Sequence, residues 1–380
     1  MSSLIGVERD LTLLQKIGQI SWSLLLLICL TTAVGAVALY SAANGSMDPW
    51  ASRHITRFAA CLVMMMVIAL IDIRIWLRLA YPIYLVCLLM LGAVEIMGKM
   101  GGGAQRWIAL GPVQIQPSEI MKVSLVLALA RFFHAATLED VGRPTFLLVP
   151  LFMVLTPVGL VLMQPNLGTA LMLLAVGGAI FFASGVRLWK FGLLIAGGLG
   201  CIPVIWRFMH DYQKQRVLTF LDPSTDPLGA GYHITQSKIA LGSGGIAGKG
   251  FLGGTQSHLN FLPEKHTDFI FTLLAEEWGM IGGLALITLY ALIVAYGLLI
   301  AVQSRHHFGR LIAIGLSVNF FLYLAINNAM VMGLIPVVGI PLPLVSYGGT
   351  AMLGVMLGFG FLMCVLIHRD VRISRRMQFD

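Results

Sequence analysis

The chain has 380 residues, of which 58% are hydrophobic and only 11% are charged. Soluble domains carry about 25% charged residues, so this composition excludes soluble globular, disordered and disulfide-rich secreted proteins and predicts a polytopic membrane protein. The formal net charge of +8 is attributed to the excess of Lys and Arg that orients membrane helices, and nucleic acid is not an expected partner.

Ten apolar segments have about the 20 residues that a helix needs to cross a lipid bilayer. They are residues 18–41, 56–73, 76–97, 119–136, 145–163, 167–185, 188–208, 269–302, 310–334 and 343–367. The first segment is longer than the apolar core of a cleaved signal peptide, so it is interpreted as a retained span. We therefore predict an all-α fold: one integral membrane domain over residues 1–380, with ten transmembrane helices in the lipid bilayer.

The distribution of positive charge predicts the orientation of these helices. With an even number of spans, fourteen Lys and Arg residues fall on the side of the two termini and five fall on the short loops of the other side. Cytoplasmic loops carry the excess of Lys and Arg, so both termini are predicted to be cytoplasmic. The connection between helices 7 and 8, at about residues 209–268, is then a large extracytoplasmic loop, and residues 368–380 are a cytoplasmic tail.

Four polar stretches fall on the predicted outer side, at residues 101–119, 164–169, 211–268 and 336–350. A single stretch of this kind is most simply a turn, but four on one side favour a site that faces outward. The glycine-rich part at 242–254 lacks the strand–helix context of a nucleotide-binding loop. It is interpreted as a flexible loop that tolerates anions.

Asp268 is the first candidate for chemistry. Thr267 is the predicted N-cap of the long helix that follows, which places Asp268 in the first turn at the outer membrane boundary. The helix dipole favours an ionised carboxylate there, and an ionised carboxylate in a sheltered position can act as a general base. The alternative is that Asp268 only stabilises the start of the helix.

Glu119 and Lys122 are three residues apart on one face of a predicted helix, where their charges can pair. Ionisable groups inside a membrane span mark a polar cavity or a functional site, although a self-contained ion pair explains them equally well. Ser118 and Asn166, each following a Gln-Pro pair, are predicted N-caps.

Arg106 lies beside Trp107 on the predicted outer side. A guanidinium in this position suits a phosphate or pyrophosphate group, and an Arg–Trp pair suits ordinary anchoring at the membrane interface equally well. No His or Cys pattern in the sequence has the spacing of a metal site, so metal ligands stay unknown.

Several of these motifs together resemble the SEDS family of cell-wall glycosyltransferases. The matching stretches are 103–108 (Gly-Ala-Gln-Arg-Trp-Ile), 116–119 (Gln-Pro-Ser-Glu), 222–249, 261–271 and 341–349, in order along nearly the whole chain. The uninterrupted Leu-Pro-Glu-Lys-His-Thr-Asp-Phe and the long outer loop resemble family members of cell elongation and rod shape more than those of cell division.

The resemblance implies a ten-span peptidoglycan glycosyltransferase, a hexosyltransferase that joins the disaccharide units of lipid II into glycan strands. The family's essential acidic residue corresponds to Asp268, the expected general base for attack of an acceptor hydroxyl on the undecaprenyl-pyrophosphate-linked donor. The pyrophosphate needs cations, and a divalent ion, Mg2+ or Mn2+, is a further candidate. The expected substrate-binding residues are Arg106, Glu119, Lys122, Arg216, Lys238, Ser346 and Tyr347.

The resemblance also implies partners and a location. A family member is expected to work with a class B penicillin-binding protein, whose transpeptidase crosslinks the glycan, and with the MreB-associated elongasome. The chain is expected in the bacterial cytoplasmic (inner) membrane with its active site outside. Where the family usually has Asp, this chain has Asn166, which caps a helix as Asp does but supplies no negative charge.

Two other functions compete with the polymerase. A flippase or other transporter of lipid-linked cell-wall precursors is consistent with many spans and intramembrane charges. Glu95, Glu276 and Glu277, which the polymerase leaves unexplained, keep this function open. A non-catalytic scaffold for the penicillin-binding protein would not depend on Asp268. The position of most ionisable residues on the predicted outer side favours the polymerase.

Overall fold

The computed structural model of the chain describes residues 12–101, 104–110, 113–201, 203, 206–207, 209, 211–222, 229–259, 261, 264–371 and 373. The helices are α1 (Leu13–Gly18), α2 (Trp22–Ala42), α3 (Ala51–Leu70), α4 (Ile73–Met97), α5 (Pro117–Ala135), α6 (Leu138–Gly142), α7 (Pro144–Met163), α8 (Leu167–Ala183), α9 (Leu188–Gly200), α10 (Asp211–Leu221), α11 (Ala230–Ser243), α12 (Thr255–His258), α13 (Ile270–Gln303), α14 (His307–Val331) and α15 (Gly349–Ile367). The strands are β1 (Lys99–Gly101), β2 (Ala104–Leu110) and β3 (Val113–Ile115).

Each of the ten predicted apolar segments contains a helix. Among the described residues, seven helices are long and apolar enough to cross a membrane, namely α2, α3, α4, α7, α13, α14 and α15. Helices α8 and α9 are apolar but shorter. A helical, multi-pass membrane protein is therefore confirmed. The segment predicted at 343–367 becomes helical only at Gly349, because the backbone of Leu344 is left-handed (φ 69°) and that of Gly348 is non-helical (φ −158°, ψ 85°).

Three short strands between α4 and α5 form an antiparallel sheet in the order β1-β2-β3, which the all-α prediction lacked. Lys99 pairs with Trp107, and Ile108 pairs with Ile115. Strands this short carry too little hydropathy pattern to be separated from a loop. The sheet ends two residues before Pro117, the first residue of α5, so it places β2 beside the start of that helix.

The centre of the molecule is formed by α5, α14 and α15. Nearly every residue of α15 from Thr350 to Ile367 is buried, and Gly354 lets it approach α5 closely, because a Cβ there would lie 3.2 Å from the carbonyl oxygen of Glu119. The outer helices leave large apolar side chains exposed, among them Val63 and Phe152. Such surfaces are typical of contact with lipid.

Helix α13 is broken at Gly279, whose backbone is non-helical (φ 66°, ψ −162°). The glycine-rich loop crosses the break and supplies its hydrogen bonds: the Lys249 amide donates to the Glu276 carbonyl (3.1 Å), and the Met280 amide donates to the Gly245 carbonyl (2.9 Å). Only glycine fits at position 248, because a Cβ would lie 2.0 Å from the Glu277 carbonyl oxygen. The predicted long helix is therefore present but broken at Gly279, and the loop that was predicted to be flexible is held by backbone hydrogen bonds.

The Glu276 side chain ties the same loop to α13, and the Glu277 side chain ties α2 and α12 to it. The Glu276 carboxylate accepts hydrogen bonds from Lys249 Nζ (2.8 Å) and Ser257 Oγ (2.9 Å), among others. The Glu277 carboxylate accepts from Ser41 Oγ and contacts His258 Nε2 at 3.1 Å. Both carboxylates are buried. Their partners show that they stabilise the broken helix.

Candidate active site

A polar cavity of about 470 Å³ lies where the sheet, the starts of α5 and α8, the turn before α13 and the turn before α15 meet. Five of the predicted site residues line it. The lining residues are Arg106, Trp107, Gln116, Glu119, Lys122, Asn166, Thr169, Met172, Glu264, Thr267, Asp268, Tyr323, Val337, Val338, Gly339, Ile340, Pro341, Tyr347, Gly348, Thr350 and Ala351. Its size and mixed polarity are typical of a small-molecule or substrate site.

Asp268 lies just before α13 rather than within its first turn. The helix begins at Ile270, and its N-cap is Phe269. Thr267, the predicted cap, instead donates its hydroxyl to Glu264 Oε2 (2.7 Å). Asp268 is partly buried and faces Gly339, where a Cβ would lie 3.5 Å from Asp268 Oδ2. The carboxylate is therefore at the cavity wall, next to the positive end of the helix dipole, which favours its ionised form.

Glu119 and Lys122 form a buried ion pair at the cavity wall, with Lys122 Nζ 2.8 Å from Glu119 Oε1. The Tyr323 hydroxyl completes the cluster: it donates to Glu119 Oε2 and accepts from Lys122. Lys122 Nζ also lies 4.2 Å from the centre of the Tyr323 ring. The sequence allowed either a self-contained ion pair or part of a polar cavity. Both interpretations hold, because the two charges are paired with each other and also line the cavity. Tyr323 was not predicted.

Arg106 holds the turn before α8. Its Nε donates to the Gln164 carbonyl (3.1 Å), and its Nη2 donates to the Pro165 carbonyl. Asn166 is the N-cap of α8, as predicted, and its Oδ1 accepts from the Thr169 amide (3.4 Å). Arg106 therefore combines a position on the cavity wall with a structural role in the turn.

The prediction that Ser118 is the N-cap of α5 was wrong. Helix α5 begins at Pro117, and its N-cap is Gln116. The Ser118 hydroxyl is buried and has no hydrogen-bond partner among the described residues. Proline at the first helical position supplies the start signal instead, since its fixed φ suits a helix and its missing N–H is not needed there.

Three of the predicted substrate-binding residues are not among the lining residues of the cavity. Lys238 is exposed and packs against Gly333, where a Cβ would lie 2.3 Å from Lys238 Cε. The buried Ser346 hydroxyl accepts from the Leu342 amide (2.8 Å), so it stabilises the turn before α15. Arg216 belongs to α10, and its side chain lies outside the described part of the chain.

An aromatic and cationic stack borders the cavity beside Tyr347. The Trp50 and His266 rings stack with 4.3 Å between their centres, and the Arg57 guanidinium lies 4.8 Å from the centre of the Tyr347 ring. The Tyr347 amide donates to the His266 carbonyl (2.8 Å). Burial lowers the pKa of His266 from its usual 6.5. This stack joins the turn before α13 to the turn before α15, and it was not predicted from the sequence.

The described residues hold no cluster of three or more His, Cys, Asp or Glu side chains arranged for a metal ion. The cavity carboxylates are Glu119, Glu264 and Asp268, and the Glu119 carboxylate is bonded to Lys122 and Tyr323. These side chains do not by themselves fit a resident divalent cation.

A protein-family model described as a cell cycle protein, FtsW/RodA/SpoVE, matches residues 20–371. The peptidoglycan glycosyltransferase MrdB of Escherichia coli strain K12 is 46% identical over 350 residues, which cover 91% of this chain and 94% of that protein.

Two solved structures share the fold. A chain of a peptidoglycan synthase complex that coordinates polymerization and crosslinking has a TM-score of 0.80 and 31% identity, with 93% of this chain and 99% of that chain covered. The rod shape determining protein RodA of Thermus thermophilus has a TM-score of 0.70 and 28% identity, with coverage of 92% and 98%.

Proposed function

This chain belongs to the FtsW/RodA/SpoVE family, and from that premise we propose that its polar cavity polymerises lipid II. The chain is a peptidoglycan glycosyltransferase of the RodA type, a membrane enzyme of cell-wall synthesis and cell shape. The proposal rests chiefly on one observation: a single cavity brings Asp268 together with the Glu119–Lys122–Tyr323 cluster and Arg106.

In the proposed reaction, the Asp268 carboxylate takes the proton from the 4-hydroxyl of the acceptor GlcNAc. The hydroxyl oxygen attacks the anomeric carbon of the lipid-linked donor with inversion. The new glycosidic C–O bond forms as the bond to undecaprenyl pyrophosphate breaks, and the pyrophosphate leaves with the electron pair. A carboxylate at a cavity wall is suited to this role, since a general base must lie within hydrogen-bond reach of the hydroxyl.

The leaving pyrophosphate requires positive charge or hydrogen-bond donors. We propose that Arg106 and Lys122, on the cavity wall, orient it and that the Glu119 and Tyr323 contacts hold the Lys122 ammonium in place. Tyr347 contacts the substrate from the opposite turn. Roles in substrate binding for Arg216, Lys238 and Ser346, and a requirement for Mg2+ or Mn2+, stay predictions of the family resemblance.

We propose the membrane topology of the chain together with this function. Ten spans, cytoplasmic termini and an outer loop at about 209–268 would place the cavity on the outer face of the bacterial inner membrane, where lipid II is polymerised. The likeness to a chain of a peptidoglycan synthase complex supports a class B penicillin-binding protein as partner. Work with the MreB-associated machinery follows from the elongation branch of the family.

The three glutamates that supported a transporter function have other positions or roles in the structure. Glu276 is bonded to Lys249 of the glycine-rich loop and Glu277 is bonded to Ser41 of α2. Glu95 is exposed near the end of α4. None of the three forms part of the cavity lining. The names of the relatives also favour the polymerase over a flippase.

The deciding experiment combines two assays on purified protein. Polymerisation of labelled lipid II is measured together with the cognate penicillin-binding protein, whose transpeptidase is blocked by a β-lactam. We expect glycan ladders from the wild type and none from Asp268→Asn at equal thermal stability. Lipid II scrambling in liposomes is measured in parallel. Scrambling by the wild type without any polymerisation would contradict the proposal.

A further inference from the structure

Asn327 joins the turn that carries Asp268 to the turn before α15. Its Nδ2 donates to the Asp268 carbonyl and to the Ile340 carbonyl, each at 2.8 Å. Both acceptors are carbonyl oxygens, which only accept, so the amide nitrogen must face them. The residue is fully buried on α14, which shields both hydrogen bonds from water.

The two carbonyls belong to the segments that border the Asp268 carboxylate. Asp268 precedes α13, whose first intrahelical bonds go to the Phe269 carbonyl instead. Ile340 follows Gly339, which has a φ of +71° and faces Asp268 Oδ2. Asn327 therefore sets the distance between the backbone of Asp268 and the backbone that packs against its carboxylate.

We propose that Asn327 is a positioning residue for glycosyl transfer, which holds the Asp268 carboxylate where it meets the acceptor hydroxyl. This inference rests on the proposed role of Asp268 as the base. An Asp side chain is short, so the position of its carboxylate follows the position of its backbone. A displacement of about 1 Å at a reacting group costs on the order of 100-fold in rate.

The first test is Asn327→Asp, which keeps the shape of the side chain but replaces both donors by an acceptor. An oxygen then faces two carbonyl oxygens, and the turn before α13 shifts. We expect kcat for lipid II polymerisation to fall by about 10- to 100-fold, while KM stays within about twofold. Asn327→Ala adds no charge, and the same split between kcat and KM is expected from it.

Asn319 offers a matched control on the same helix. It is also buried, its Oδ1 likewise has no hydrogen-bond partner among the described residues, and it does not line the cavity. Asn319→Asp makes the same chemical change at a distance from Asp268. Its kcat per folded molecule is expected to equal that of the wild type, with the folded fraction taken from thermal unfolding.

Hydrogen–deuterium exchange gives a readout that does not depend on activity. Asn327→Ala is expected to speed exchange in peptides covering 264–269 and 336–341, and Asn319→Ala is expected to leave both unchanged. A wild-type kcat in both Asn327 variants, or an equal loss in Asn319→Asp, would overturn the inference. An active Asp268→Asn enzyme would instead remove the proposed function itself.

Discussion

Asp268 and the pair Glu276–Glu277 lie less than three helical turns apart, yet their carboxylates differ in burial. Glu276 and Glu277 are buried, and their oxygens are occupied by partners such as Lys249 and His258. Asp268 is partly buried and lines the cavity. The difference separates two uses of a carboxylate: one saturated with protein donors holds structure, whereas one at a cavity wall can meet a substrate.

Among substitutions that keep every charge, the largest effect is expected from moving the Asp268 carboxylate. Asp268→Glu adds one methylene and displaces the carboxylate by more than 1 Å, so we expect kcat to fall by about 100-fold with little change in thermal stability. Polymerisation kinetics on lipid II give the measurement. A Glu variant as fast as the wild type would show that the position of this carboxylate is not critical.

The next largest effect is expected on stability, from the Glu276 carboxylate. Glu276→Gln removes the charge that pairs with Lys249, and the loss is moderated because the Lys249 side chain is 25% exposed. We expect the free energy of unfolding to fall by about 2 kcal/mol, with polymerisation per folded molecule retained. Thermal unfolding in detergent measures it, with exposed Glu139→Gln as the control that leaves stability unchanged. A stable but inactive Glu276→Gln would place this residue in the chemistry.

A smaller effect is expected in the Glu119–Lys122 cluster. Tyr323→Phe keeps the ring but removes the hydroxyl that joins the two charges, so we expect kcat/KM to fall about tenfold, equivalent to about 1.4 kcal/mol. Tyr84→Phe is the matched control, since its hydroxyl donates to the Met153 carbonyl (2.8 Å) away from the cavity. Equal kinetics in the two variants would show that the Tyr323 hydroxyl is not required.

The smallest effect concerns pH. Burial lowers the pKa of His266 from its usual 6.5, so below 6.5 the unfolded chain binds more protons than the folded one. The stability that depends on neutral His266 is complete above pH 6.5 and is lost as the pH falls toward the folded pKa. We expect the melting temperature to fall on acidification from about pH 7.5 to 5.5, and to fall less in His266→Gln. An identical pH dependence in both proteins would contradict this.

Hydropathy predicted the helices because crossing a bilayer demands about 20 apolar residues, a constraint that is local in sequence. It missed the break in α13 because Glu276, Glu277 and Gly279 interrupt the apolar run only briefly, and an isolated glycine is tolerated within a helix. The break is determined by the backbone of residues 244–254, which lies against it from an earlier part of the chain. A contact between distant segments leaves no periodic signal in either one.

The site was predictable to the extent that motifs carried it. Asp268 was predicted from its position before a long apolar helix and from the family resemblance, and Glu119 and Lys122 were predicted from charge within an apolar helix. Tyr323 and Asn327 are four residues apart on α14 and share a face, which is a polar signal in an apolar span. Their partners could not be read from the sequence, because these depend on how α14 packs against α5 and the turn before α13.

The central claim is that the Asp268 carboxylate performs chemistry whereas the Glu276 carboxylate holds structure. The most direct test compares Asp268→Asn and Glu276→Gln in one polymerisation assay, normalised to folded protein. The account predicts no glycan ladder and an unchanged melting temperature for Asp268→Asn, with a full ladder and a lowered melting temperature for Glu276→Gln. Ladders from Asp268→Asn, or their absence from folded Glu276→Gln, would contradict it.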